Sequence, residues 1–95
     1  MARVVVAPSA RDDLAHLITV LHLPENTRAR LKARLRPLAG TPEQGAPLEG
    51  RWEGFRFVLG PWPWMLIVYA YDREKDRVDV VTIQDARRAH AATAS

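Results

Sequence analysis

Three histidines, a set of arginines, two glutamates and two tryptophans are the side chains with which this 95-residue chain could do chemistry. His90 sits in the stretch Ala89-His90-Ala91-Ala92. An imidazole there could act as general acid or base near neutral pH, or be a solvated tail residue. His16 and His22 read as ordinary surface or satisfied core histidines, because their spacing is no metal signature. Glu49 and Glu53 could serve as a base beside Arg56, or simply be solvated in an acidic loop. Trp62 and Trp64 flank Pro63 and could stack on a nucleobase, or plug the end of a sheet. With no cysteine the chain has no thiolate chemistry and no zinc finger, and no metal or cofactor is implied.

The charge balance points to the partner class. Lys and Arg number 14 against 11 Asp and Glu, a formal charge of +3, and all but Lys32 and Lys75 are arginine. Guanidinium groups suit bidentate contact with phosphate or carboxylate, so nucleic acid or an acidic peptide is the expected partner. Arg28, Lys32 and Arg36 fall on one flank of a helical wheel, and Arg30 and Arg34 on the other. Lys32 and Arg36 are candidates for RNA phosphate contact, against the plainer reading of a solvated helix face. The amino-terminal residues lack the apolar centre of a signal peptide, and the longest apolar run, residues 62–71, is too short to span a membrane. A cytoplasmic protein without a membrane partner is expected.

The elements that must position these groups follow from periodicity. Arg3 to Ala7 is β-branched and short, a strand ended by Pro8. Ser9 is the expected N-cap of a first helix, with Asp12 and Asp13 at its positive end and the core stripe Leu14, Leu17, Ile18 and Leu21. Pro24 or Asn26 opens a second helix with Leu31, Leu35 and Leu38 on its apolar face, kinked or ended near Pro37. Residues 41–54 read as an irregular connection. Three strands follow: Phe55–Leu59, a central apolar run Trp64–Tyr71, and Arg77–Ile83. Leu17, Leu31, Leu35, Phe57 and Ile67 should meet in the core. The expectation is one α+β domain over residues 1–95, a helical hairpin packed on one face of a small, mainly antiparallel sheet.

That order, with certain words of the sequence, resembles the RelE/ParE toxin superfamily. The words are Pro47-Leu48-Glu49-Gly50, Gly54-Phe55-Arg56-Phe57-Val58-Leu59-Gly60, Val68-Tyr69-Ala70-Tyr71-Asp72, and Arg77-Val78-Asp79-Val80-Val81 running into Ala86-Arg87-Arg88. They are similar to the family's succession KPL-x-G, x-G-L/F-R, Y-R-V-x-Y, V-x-I and R-R.

The resemblance implies the toxin of a type II toxin-antitoxin module. In the RelE-like branch, favoured here, the activity is ribosome-dependent cleavage of mRNA, which inhibits translation. The alternatives are a ParE-like gyrase inhibitor without catalysis, or a degenerate toxin kept for antitoxin binding. Implied partners are an acidic antitoxin in a hetero-oligomer, with the ribosome and mRNA. For the nuclease, the resemblance places catalytic cations at Arg56 and at Arg87 or Arg88, puts His90 near an acid or base position, and sets Arg51 in the RNA-binding loop. The strand arginine of the relatives falls on Leu66. On this reading Arg56, Arg87 and Arg88 converge on one face, loss of Arg56 or Arg87 spares folding, and Leu66→Arg is tolerated and restores a missing cation.

Overall fold

A computed structural model describes residues 1–94. The three valines of the first strand, β1 (Arg3–Val6), favour extended backbone and run directly into helix α1 (Pro8–Leu21). Pro8 takes the first helical position, where its missing N–H costs nothing, so the cap is Ala7 and not the expected Ser9. The Ser9 hydroxyl instead donates to the Val81 carbonyl at 2.6 Å. Asp13 likewise binds outside the helix, its carboxylate accepting from the Thr82 hydroxyl and the Ile83 N–H. Helix α1 stops at His22, which adopts the left-handed conformation (φ 52°). The Leu23 N–H then reaches back to the Ile18 carbonyl.

Helix α2 (Thr27–Leu35) begins after Asn26, one of the two expected starts, and Thr27 is buried with its hydroxyl on the Pro24 carbonyl. Pro37 ends it as expected and opens a single further turn, α3 (Pro37–Gly40), which carries the fully buried Leu38. The connection that follows is not wholly irregular. It contains a two-residue strand, β2 (Ala46–Pro47), and a 3₁₀ turn at Gly50–Trp52. Pro47 has no N–H to give a ladder, which suits a short strand at the sheet's edge.

Strands β3 (Arg56–Leu59), β4 (Met65–Asp72) and β5 (Arg77–Asp85) complete a five-stranded sheet in the order β1-β5-β4-β3-β2. β1 runs parallel to β5, and the other pairs are antiparallel. Val68 faces Thr82 and Tyr69 faces Val80, so Val81 is an extra residue bulged out of β5. The Ser9 hydroxyl occupies that residue's carbonyl. The bulge also shifts the alternation, so that Val78, Val80 and Ile83 all join one core despite the odd spacing of the last two.

The helices cover one face, as expected. Leu14, Leu17, Leu31, Leu35 and Leu38 meet Val58, Ile67, Tyr69 and Val80 there. Phe57 is not among them: it lies on the opposite face, packed against Leu48, Leu66 and Val68, while its neighbour Val58 points to the helices. That second face is closed by Trp52, Phe55 and the tail residues Ala86, Ala91 and Ala92. β4 is therefore covered on both sides, as its unbroken apolar run requires.

Candidate functional site

Arg56 opens β3 opposite Tyr69 and points to the helix-covered side with Val58. Its Nη1 donates to the carbonyls of Gly45 (2.8 Å) and Glu43 (3.2 Å), and Nη2 stands 3.6 Å from the Glu43 carboxylate. The same carboxylate takes two hydrogen bonds from Arg73, at 2.8 and 2.9 Å. These bonds raise the Arg73 pKa and fix the loop before β2 to the sheet. The acid beside Arg56 is thus Glu43. Glu49 and Glu53, which the sequence leaves as a base or as solvated loop residues, are exposed on the turn around Gly50–Trp52. Arg56 thus ties down two carbonyls of that loop, a structural duty that the sequence does not show.

Arg87 lies beyond the Met65 end of the central strand, whereas Arg56 stands beside its middle. It follows Asp85, which pairs with Met65, whereas Arg56 pairs with Tyr69. Four residues of β4, roughly 13 Å, separate the strand positions beside Arg56 and Asp85. Arg87 forms a fork on Asp85, with Nε to Oδ1 at 2.8 Å and Nη2 to Oδ2 at 2.7 Å. Its donation to the charged carboxylate holds Asp85 below the ordinary carboxylate range and raises its own pKa. The expected gathering of Arg56 and Arg87 on one phosphate is therefore absent, and each guanidinium is already engaged.

Arg88 and His90 do share a site. With His16, Asp13, Gln84 and Asp85 they line a shallow cleft of about 270 Å³ between α1 and the tail. Both are exposed, and Arg88 has no carboxylate within 4 Å among the described residues. Arg51 stands apart, its guanidinium 5.9 Å from the Trp52 ring. Leu66 is fully buried on the sheet face away from Ile67, Val58 and Arg56. Leu66→Arg would bury a charge and could not place it beside Arg56, which corrects the expectation that it is tolerated. Among the described residues no group of three His, Asp or Glu is placed to hold a metal, and no helix is long and apolar enough to cross a membrane.

Trp62 and Trp64 are packed on the helix-side core and stack on each other, with centroids 6.0 Å apart and planes at 18°. Arg30 covers the Trp62 ring at 4.5 Å, and Arg87 covers Trp64 at 4.9 Å. A nucleobase would have to displace a guanidinium to stack there.

Lys32 and Arg36 belong to a larger feature that the sequence shows only in part. A groove of about 1060 Å³ runs between α1, α2 and β1. Val4, Val6, Leu14, Leu31 and Leu35 line it, with Arg3, Arg11, Arg28, Lys32 and Arg36 among them, and no acidic residue takes part. β1 is an edge strand, so one side of its backbone is open to a further strand. The flank Arg28-Lys32-Arg36 is legible at helical spacing. That Arg3 and Arg11 join it is a consequence of tertiary folding. The partners Glu43 and Asp85 carried one weak local sign, the Asp85-x-Arg87 spacing.

Residues 4–90 match the family model described as the ParE toxin of the type II toxin-antitoxin system, parDE. The fold is shared with solved toxins at low identity. For the toxin-antitoxin complex RelBE2 of Mycobacterium tuberculosis the TM-score is 0.69 at 21% identity, over 88% of this chain and 96% of that one. For the isolated E. coli RelE toxin it is 0.67 at 18%, over 95% and 89%. For the intact E. coli RelBE complex it is 0.63 at 18%, over 93% and 100%. No curated protein matches the sequence. With its model match spanning nearly the whole chain, and helices laid on a mixed sheet as in those toxins, the chain belongs to the ParE toxin family of type II toxin-antitoxin systems, within the RelE/ParE superfamily.

Proposed function

We propose that residues 1–95 form a single toxin domain that acts by occupying DNA gyrase, and that an acidic antitoxin segment silences it from the groove between α1, α2 and β1. One observation carries this reading: Arg56 stands beside the middle of β4 and Arg87 beyond its Met65 end, and each is engaged by its own acid, Glu43 or Asp85. RNA cleavage needs donors preorganised around one phosphate, whereas a toxin that works by binding does not. The buried Leu66 supplies no donor either. The groove suits the antitoxin because its apolar lining and acid-free cations match one amphipathic, acidic segment, and the open edge of β1 can accept an added strand. The RelBE complexes, in which a toxin of this fold is held with an antitoxin, support that partner. The place of action is the cytoplasm, where gyrase works on DNA.

A second reading, ribosome-dependent mRNA cleavage, is favoured by one feature, the cleft shared by Arg88, His90 and His16. A supercoiling assay with purified gyrase, run beside a cleavage assay on programmed ribosomes, separates the two. Inhibited supercoiling with intact mRNA is expected. Cut mRNA with normal supercoiling would replace the gyrase reading by the nuclease.

A further inference from the structure

The cations of α2 divide between two flanks, and only one flank enters the groove. Arg28, Lys32 and Arg36 line it, but Arg30 and Arg34 do not. These two lie one helical turn apart, and neither has a carboxylate within 4 Å among the described residues. Arg30 rests 4.5 Å above Trp62, which stacks on Trp64, and both rings are seated on the helix-side core. At the far end of this column Arg87 is neutralised by Asp85. At the near end Arg30 is not. A guanidinium held over an indole by cation–π attraction loses part of its freedom, yet its N–H donors stay free for an oxygen partner.

We propose that Arg30 and Arg34, with Arg30 braced on Trp62, form the face by which the toxin grips its target protein, separate from the antitoxin groove. The target surface that fits it presents carboxylates beside an apolar recess. This rests on the toxin reading above and adds to it where the target is held. The composition of the patch selects a protein over a nucleic acid. Arg30 over Trp62, with Trp64 and the flanking Pro61 and Pro63 and with Arg34 one turn along the helix, has the arginine and tryptophan character of a protein hot spot. Gripping a duplex through its backbone calls for many phosphate contacts, more than two cations can make.

The test compares wild type with Arg30→Glu/Arg34→Glu and with the single variant Arg30→Lys. Each is scored for growth arrest on induction, inhibition of gyrase supercoiling, thermal midpoint, and co-purification with the product of each adjacent small open reading frame. The double variant should need about tenfold more protein, or greater, for half-maximal inhibition, the scale of losing one hot-spot side chain. Its antitoxin capture should be unchanged, and the thermal midpoint reads separately any cost of placing an acid at the half-buried Arg34 position. Arg30→Lys, which keeps the charge but loses the guanidinium over Trp62, should fall between. Full-strength arrest by the double variant overturns the proposal. So does parallel loss of antitoxin capture, which would make the two flanks one site. Wild-type binding to a bare DNA or RNA duplex that the double variant lacks would identify the partner as nucleic acid and also overturn it. If wild type arrests growth without touching supercoiling, the gyrase reading fails alone, and the growth comparison still decides for or against this face. A wild type that arrests nothing overturns both.

Discussion

The Tyr69 hydroxyl accepts a hydrogen bond from the backbone N–H of Gly45 at 2.9 Å, joining the loop before β2 to the middle of the sheet across 24 residues of sequence. Tyr69 is fully buried, and burial is the main cause of its raised pKa. The approach leaves no room for a side chain on the loop. A Cβ on Gly45 would stand 2.5 Å from that hydroxyl and 2.7 Å from the Phe57 carbonyl. Gly45→Ala should therefore lower stability by about 1–3 kcal/mol, the usual cost of overpacking. Tyr69→Phe should cost a similar amount, about 1–3 kcal/mol, by leaving a buried N–H without a partner. Urea unfolding of the two variants measures both, and wild-type midpoints would show the contact to be dispensable.

Leu66 gives the second prediction. It is fully buried among Leu48, Val68 and Ala91 on the face closed by the tail. Leu66→Arg should destabilise by about 3 kcal/mol or more, since the charge must be buried unpaired or force the tail off the sheet. Poor soluble yield or a sharply lower thermal midpoint is expected, with no gain in RNA cleavage. A stable variant with new nuclease activity would contradict both the packing and the binding-toxin reading.

The third concerns acid. Asp85 has a side chain only 10% exposed, and its carboxyl is held below its ordinary range chiefly by the hydrogen bonds from Arg87. A carboxyl whose folded-state pKa is depressed adds stability above its unfolded value, and that contribution disappears as pH falls through the folded-state value. Comparing Asp85→Asn with wild type, the gap in thermal midpoint should be widest at neutral pH and close below about pH 4. A gap that does not change with pH would mean that the pair acts through shape and not through charge.

These contacts also show what a sequence can reveal of this fold. The stripes Leu14-Leu17 and Leu31-Leu35-Leu38 are legible because helical period alone determines which residues share a face, and all five are buried. In β3, alternation fixes only that Phe57 and Val58 point apart, not which of them meets the helices. That choice depends on the second cluster, built from Leu48, Trp52 and Ala91, which no local pattern announces. The cap at Ala7 was hidden because Ser9 looks like a cap, yet its hydroxyl serves a bulge 72 residues away. The candidate site divides in the same manner. The arginines can be named from the sequence, but their availability depends on Glu43 and Asp85, which only the folded chain brings to them.

The last prediction concerns the groove. Its apolar part is built by α1, α2 and β1 together, and Arg3 and Arg11 face it from elements other than the one bearing Lys32 and Arg36. An acidic segment seated there meets cations from several elements, so the attraction is shared and depends on salt. Lys32 and Arg36 are both exposed, so reversing their charges should leave the core intact. Lys32→Glu with Arg36→Glu should weaken antitoxin binding about tenfold or more, as like charges replace favourable pairs, with most of the loss in association rate. The wild-type complex should weaken as salt rises, and the variant complex should weaken less, because fewer cations contribute. Leu31→Ala tests the apolar share of the same groove. It should speed dissociation without changing the salt dependence, at a cost to the free toxin of about 2–5 kcal/mol because Leu31 is also a core residue. Binding kinetics at two salt concentrations separate these effects. If reversal of Lys32 and Arg36 leaves affinity and salt dependence as they were, the antitoxin does not occupy this groove.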